Sequence, residues 1–214
     1  MDTVDLIMSY LSETYHPHAV IIYGSYADGS AGEHSDFDAL VIADCAKTHD
    51  AAEIGGTTLD VFVYPPEAFR SDYDPEEFIQ VYDGKIVADR GGIAEQLQKR
   101  VRDYVAQAPL KTDEEVRQSV EWCGKMLSRA SRGDPEGYFR WHWLLTDSLE
   151  IYCDIVRRHW FGPKKTLRFM AQADPEAFRI CSLALCELNP ERLSDWVACL
   201  RRLFADREAG GRRP

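Results

Sequence analysis

Three short apolar runs constrain this chain more than any other feature. Residues 18–23 (HAVIIY), 36–43 (DFDALVIA) and 57–64 (TTLDVFVY) are too short for ordinary buried helices and rich in β-branched and aromatic side chains. They are expected as strands. All three fall in the first third of the chain, and everything beyond residue 107 reads as helix. The expectation is an α+β fold: a mixed sheet with flanking helices, followed by an all-α bundle.

The remaining elements follow from periodicity and punctuation. Residues 3–14 place Val4, Ile7, Met8 and Leu11 on one helical face, with Asp2 as cap. Gly24-Ser25 ends the first strand, residues 25–28 begin a helix, and 67–70 form a helical turn after Pro65-Pro66. Residues 79–88 read as two short strands around Asp83-Gly84, a good hairpin turn. Residues 93–107 form a helix with Leu97, Val101, Tyr104 and Val105 inward. QAPLK at 107–111 then breaks the pattern and marks a boundary between domains 1–108 and 109–214. Helices are expected over 112–132, 135–159, 164–172, 175–188 and 190–207. Asp134-Pro135, Asp174-Pro175 and Asn189-Pro190 each pair a cap with proline at the first helical position.

Bulk properties narrow the function classes. The 214 residues carry a formal net charge of −11 and a pI of about 5.0. Such a chain gains little attraction to nucleic acid or anionic membrane and favours cationic small molecules. Its six cysteines (45, 123, 153, 181, 186 and 199) contain no C-x-x-C, and its six histidines show no metal-ligand spacing. The thiols are expected reduced and mainly buried, in a cytoplasmic protein. The N-terminus lacks the pattern of a signal peptide, no stretch is long and apolar enough to span a bilayer, and the tail REAGGRRP is expected to fray.

The chemistry concentrates around residues 20–43, VIIYGSYADGSAGEHSDFDALVIA. Asp36 and Asp38 lie two residues apart at the start of a strand, so their side chains point the same way and can serve one hard cation. Asp60 interrupts the apolar run TTLDVFVY, where a charge has no structural role. With its strand beside that of Asp36, it would face the same cation. Gly24-Ser25 follows a buried strand, and glycine there lets backbone N–H groups approach a phosphate closely.

Gly24-Ser25, then Ser35-Asp36-Phe37-Asp38, then a carboxylate on a later strand, resembles the DNA-polymerase-β-like nucleotidyltransferases. The resemblance spans residues 15–90. It implies attack of a hydroxyl on the α-phosphate of a nucleoside triphosphate, with pyrophosphate leaving. It also implies Mg²⁺ held by Asp36, Asp38 and Asp60, and a triphosphate at Gly24, Ser25 and Ser35. Asp28 departs from the basic or neutral residue many members carry there, and an acid at that place repels a triphosphate.

In the helical half, Glu121-Trp122-Cys123-Gly124-Lys125 is similar to the matching segment of the kanamycin nucleotidyltransferases. That resemblance implies Glu121 as general base and Lys125 at the triphosphate. The plainer alternative is an i, i+4 ion pair. Gly124 costs roughly 1 kcal/mol against alanine in a helix, which signals close packing there. Asp147, Glu150 and Asp154 form a stripe with Trp143 above it, suited to a polyamine or aminosugar. Its plainer reading is a solvated face with Asp154 paired to Arg158. Trp141, Leu145, Leu149 and Tyr152 read as core.

Together these features predict a Mg²⁺-dependent enzyme that transfers AMP from ATP to a hydroxyl of a small, aminoglycoside-like acceptor, acting as monomer or homodimer without nucleic acid or membrane partners. The helical half is expected to bind the acceptor, as in kanamycin-nucleotidyltransferase-like and HEPN-like domains. Protein adenylylation and a non-catalytic nucleotide-binding module are the alternatives.

Overall fold

The computed structural model describes residues 2–70 and 72–210, and the chain divides into two compact units after Ala108. The first unit is built on α1 (Thr3–Tyr15), β1 (Ala19–Ile22), α2 (Gly24–Asp28), β2 (Phe37–Ile42), β3 (Thr48–Asp50), β4 (Glu53–Ile54), β5 (Thr57–Tyr64), β6 (Lys85–Asp89) and α3 (Ile93–Gln107). The strand order is β3-β5-β2-β1-β6, with β4 paired to the start of β5. β2 and β5 run parallel, and the other neighbours are antiparallel. The sheet is therefore mixed and helix-flanked, as the three apolar runs predict.

Strand alternation sends two different side-chain sets to the two faces. Val20, Phe37, Val41 and Val61 pack with Ile7 and Leu11 of α1. Ile21, Leu40 and Ile42 pack with Leu97 and Val101 of α3, together with Phe78 and Val81. Burying α1 by Ile7 and Leu11 leaves Val4 and Met8 at the rim of the same cluster, so the amphipathic stripe read from sequence is the packing face.

The second unit is all helix: α4 (Asp113–Ala130), α5 (Pro135–Ile155), α6 (Pro163–Ala173), α7 (Pro175–Cys186) and α8 (Pro190–Gly210). The cap-proline pairs operate as expected. Asp134 accepts from the Gly137 N–H at 2.7 Å, Asp174 from Ala177 at 3.0 Å and Asn189 from Glu191 at 2.8 Å. Trp141, Leu145, Leu149 and Tyr152 are buried in one core with Met126 and Leu200. Trp196 is fully buried, and its indole N–H donates to Ser148 Oγ at 2.8 Å, which satisfies the polar atom it takes inside.

All six cysteines are free. Cys123, Cys153, Cys181 and Cys199 are buried, Cys45 is half-buried and Cys186 is exposed. Burial pushes the thiols of Cys123 and Cys181 up to about 12, so they stay protonated. No helix among the described residues is long and apolar enough to cross a membrane. α8 continues through Gly210, so the expected fraying of the tail does not include residues 207–210. Residues 211–214 lie outside the described residues.

Of the two strands expected around Asp83-Gly84, the second is present as β6, and the first is replaced by 3-10 helix over Pro75–Val81. Asp74 caps this segment by accepting from Glu76 N–H at 2.9 Å, and Pro75 sets its first residue. Its far end is held by Gln98, only 6% exposed, which donates to the carbonyls of Val81 and Gly84 at 2.9 and 2.7 Å. Gly84 sits so close to the sheet that a Cβ there would lie 2.7 Å from Ile21 Cγ2. Replacing Gln98 by alanine strands the Gly84 carbonyl and leaves that of Val81 with the Gly84 N–H alone. The expected loss is about 2 kcal/mol of unfolding free energy, read from the urea midpoint at unchanged m-value.

Candidate active site

The parallel pairing of β2 and β5 puts Asp38 directly opposite Asp60. Register partners project to the same face, on strands about 4.8 Å apart. Both are half-buried, although the residue before each, Phe37 and Leu59, is already in the core on the opposite face. Asp36 is exposed and stands one residue ahead of β2, outside the ladder.

The chain after β1 closes over this pair. The Tyr23 N–H donates to the Asp38 carbonyl at 3.0 Å and extends the β1–β2 ladder by one bond. Gly24 then adopts φ +65°, and a Cβ at that position would collide with the Asp38 carboxylate. Glycine is required twice over there, by its backbone conformation and by the space the carboxylate occupies. The Tyr23 hydroxyl lies inward, where burial first and then the charges of Asp60 and Asp38 push its pKa up and keep it protonated.

The loop between α2 and β2 is ordered by its own polar groups. Ser35 Oγ accepts from the Gly32 N–H at 2.9 Å, and the Ser35 N–H donates to the Gly32 carbonyl at 3.0 Å. Ser25 lies in the first turn of α2 and is half-buried. The acid that departs from the family pattern, Asp28, is exposed and accepts from the Ser30 N–H at 3.1 Å and Ser30 Oγ at 2.6 Å. Its charge is thus engaged by the turn that ends α2.

His49 on β3 adds a residue that sequence reading passed over. Its Nε2 is 2.7 Å from Asp60 Oδ1, and its ring stacks on Phe62 with centroids 4.6 Å apart. The only local signal was a histidine in the polar run KTHDA. Among the described residues, no three His, Cys, Asp or Glu side chains gather closely enough to hold a metal ion by themselves. Magnesium commonly uses one or two carboxylates and completes its octahedron with water and substrate phosphates. An all-oxygen pair at Asp38 and Asp60, under a glycine that has made room for the carboxylate, fits that ion.

In the second unit, Glu121 and Lys125 are both exposed on α4 and do not pair with each other. The close approach signalled by Gly124 is real: a Cβ there would collide with the Arg201 guanidinium from α8. The acidic stripe on α5 has a different partner from the one expected. Lys111 donates to Asp154 at 2.7 Å and to Glu150 at 3.1 Å. Arg158 instead stacks over Phe169, 4.1 Å from its ring centroid. A groove of about 510 Å³ runs beside this clamp, lined by Glu115, Trp122, Asp147 and Glu150 among others. Trp122 and Trp143 meet edge to face with centroids 5.7 Å apart. Burial raises the Asp147 carboxyl above the usual range, against a hydrogen bond from Trp143 that lowers it.

Comparison with known proteins identifies the domain. No curated protein matches the chain. A nucleotidyltransferase-like protein from Exiguobacterium sibiricum 255-15, known as a crystal structure, aligns with 95% of this chain and 73% of its own. It does so at 15% identity and a TM-score of 0.36, a loose likeness. The model of the nucleotidyltransferase domain family matches residues 4–121, more than half of the chain, from α1 through Glu121 on α4. The chain therefore belongs to the nucleotidyltransferase domain family.

Proposed function

We propose that this protein transfers a nucleoside monophosphate, AMP from ATP, to a hydroxyl of a small cationic acceptor and releases pyrophosphate. The observation that carries the reading is the register of β2 and β5, which sets Asp38 beside Asp60 under the Gly24 turn. Neighbouring carboxylates repel, and an arrangement that keeps them together is suited to a cation between them.

Asp38 and Asp60 hold Mg²⁺ in this reading, with Asp36 joining from the residue ahead of the strand. Mg²⁺ supplies neutralisation of the charge that develops on the transferring phosphoryl oxygens. The protein's share is positioning. In this reading the backbone N–H groups of Gly24 and Ser25 meet the phosphate beside the Asp38 carboxylate that packs against Gly24, and Ser35 holds the loop that carries Asp36. The acceptor oxygen bonds to the α-phosphorus as the bond to the bridging oxygen of pyrophosphate breaks, and the resemblance of residues 121–125 to the kanamycin nucleotidyltransferases nominates Glu121 as the base for the hydroxyl proton and Lys125 as a triphosphate contact. Residues 1–108 carry the nucleotide and 109–214 the acceptor, in a cytoplasmic protein.

The groove beside α5 supports a cationic, aminoglycoside-like acceptor. Its carboxylates, Glu115, Asp147 and Glu150, outnumber the one lining ammonium, Lys111, and Trp122 gives it a ring face. The ammonium of Lys111, seated on Glu150 and Asp154, is an internal example of the ligand chemistry that this face accepts.

Pyrophosphate release from ATP and Mg²⁺, assayed against a panel of polyamine and aminosugar acceptors, tests the activity. Asp38→Asn is expected to reduce turnover to background while retaining the wild-type melting temperature. Normal turnover in that variant refutes the assignment of Asp38. Gly24→Ala forces a side chain against Asp38 and is expected to remove the stabilisation that a non-hydrolysable ATP analogue with Mg²⁺ gives the wild type. That stabilisation is about 2.7 kcal/mol at a hundred times the dissociation constant. Trp122→Ala and Asp147→Asn are expected to raise the acceptor KM about tenfold, with a smaller change in kcat. An unchanged KM in both variants removes the groove as the acceptor site.

A further inference from the structure

We infer that His49 is a positioning residue for Asp60, fixing the carboxylate so that one oxygen is committed to the imidazole and the other serves the cation. The inference rests on the proposed role of Asp60 in holding Mg²⁺.

β3 pairs antiparallel with β5, with His49 opposite Phe62 and Asp50 opposite Val61. His49 therefore projects on the face of Phe62, and Asp60 lies two residues along the same face. The imidazole lies nearly parallel to the Phe62 ring, at an interplanar angle of 27°, which sets its plane. From that plane Nε2 reaches Asp60 Oδ1 at 2.7 Å. An ionised carboxylate only accepts, so Nε2 carries the proton and donates. The bond engages Oδ1 and leaves Oδ2 outside it, with Asp38 opposite Asp60 on the neighbouring strand.

The strand that carries His49 is itself fixed. Its next residue, Asp50, is 9% exposed and turns to the opposite face. There it accepts from Tyr10 at 3.0 Å, Tyr15 at 2.8 Å and the Ala52 N–H at 3.0 Å. Asp50 thus ties a three-residue polar edge strand to α1. An exposed histidine–carboxylate pair adds little to stability. A short strand with such an anchor, one ring stacked and one N–H aimed, has the design of a support for a metal-binding carboxylate, where loss of the outer partner costs about 10–100-fold in metal affinity or activity.

The test is Mn²⁺ binding to the nucleotide-free full-length protein, followed by the paramagnetic resonance signal of free Mn²⁺, beside the metal dependence of pyrophosphate release. His49→Ala is expected to weaken Mn²⁺ binding by about 10–100-fold at an unchanged melting temperature. His49→Gln, which keeps an N–H donor at similar reach, is expected to recover most of it. His49→Phe keeps the stack on Phe62 without the donor, is expected to behave as His49→Ala, and replaces it if the alanine variant does not fold. Wild-type Mn²⁺ affinity in the alanine and phenylalanine variants overturns the inference, as does failure of glutamine to restore affinity, which assigns the imidazole itself as a ligand. Asp38→Asn separates the two readings. Loss of binding in Asp38→Asn alone removes only the role of His49. Retained binding in Asp38→Asn removes the metal site and the inference together.

Discussion

The parallel pairing of β2 with β5 is the constraint on which the first unit depends. It places two carboxylates side by side near the start of two inner strands whose following residues, ALVI and VFVY, are apolar or aromatic. Like charges on directly opposed residues are destabilising. The cost is borne by the rest of the same strands, where Val41, Val61, Leu40 and Ile42 are fully buried between α1 and α3. Local chemistry and global packing disagree at Asp38 and Asp60 and agree elsewhere, which is the pattern expected of a functional site.

Several features serve that one register. The Tyr23 bond to the Asp38 carbonyl carries the β1 ladder to the end of β2, and the left-handed Gly24 turns the chain before a side chain can meet the carboxylate. On the far edge, β3 brings His49 to Asp60, and Asp50 holds that edge to α1. The carboxylate pair is thus flanked by a backbone turn on one side and a ring on the other.

Much of this architecture was legible in sequence because its signals are local. Asp60 stood out as a charge inside TTLDVFVY, and the three cap-proline pairs announced helix starts that their side chains then capped. The misses share a physical cause: the deciding partner is far along the chain. Residues 79–82 alternate like a strand, but the Val81 carbonyl, with that of Gly84 just beyond, is taken by Gln98 of α3. β3 is polar and short, and it forms because Tyr10 and Tyr15 bind Asp50. Gly124 announced a close approach without naming Arg201, and Asp154 found Lys111 rather than Arg158, which lies beyond the end of α5 at Ile155.

The distribution of thiols has a practical consequence. With Cys123, Cys153, Cys181 and Cys199 enclosed in the helical core, an alkylating reagent meets Cys186 at the end of α7 well before the others. Only half-buried Cys45 competes with it. A Cys45→Ser background would therefore give a chain that accepts a single fluorophore at one known point without further engineering. Ligand binding to the helical unit, which carries Cys186, then becomes testable in the emission of one dye.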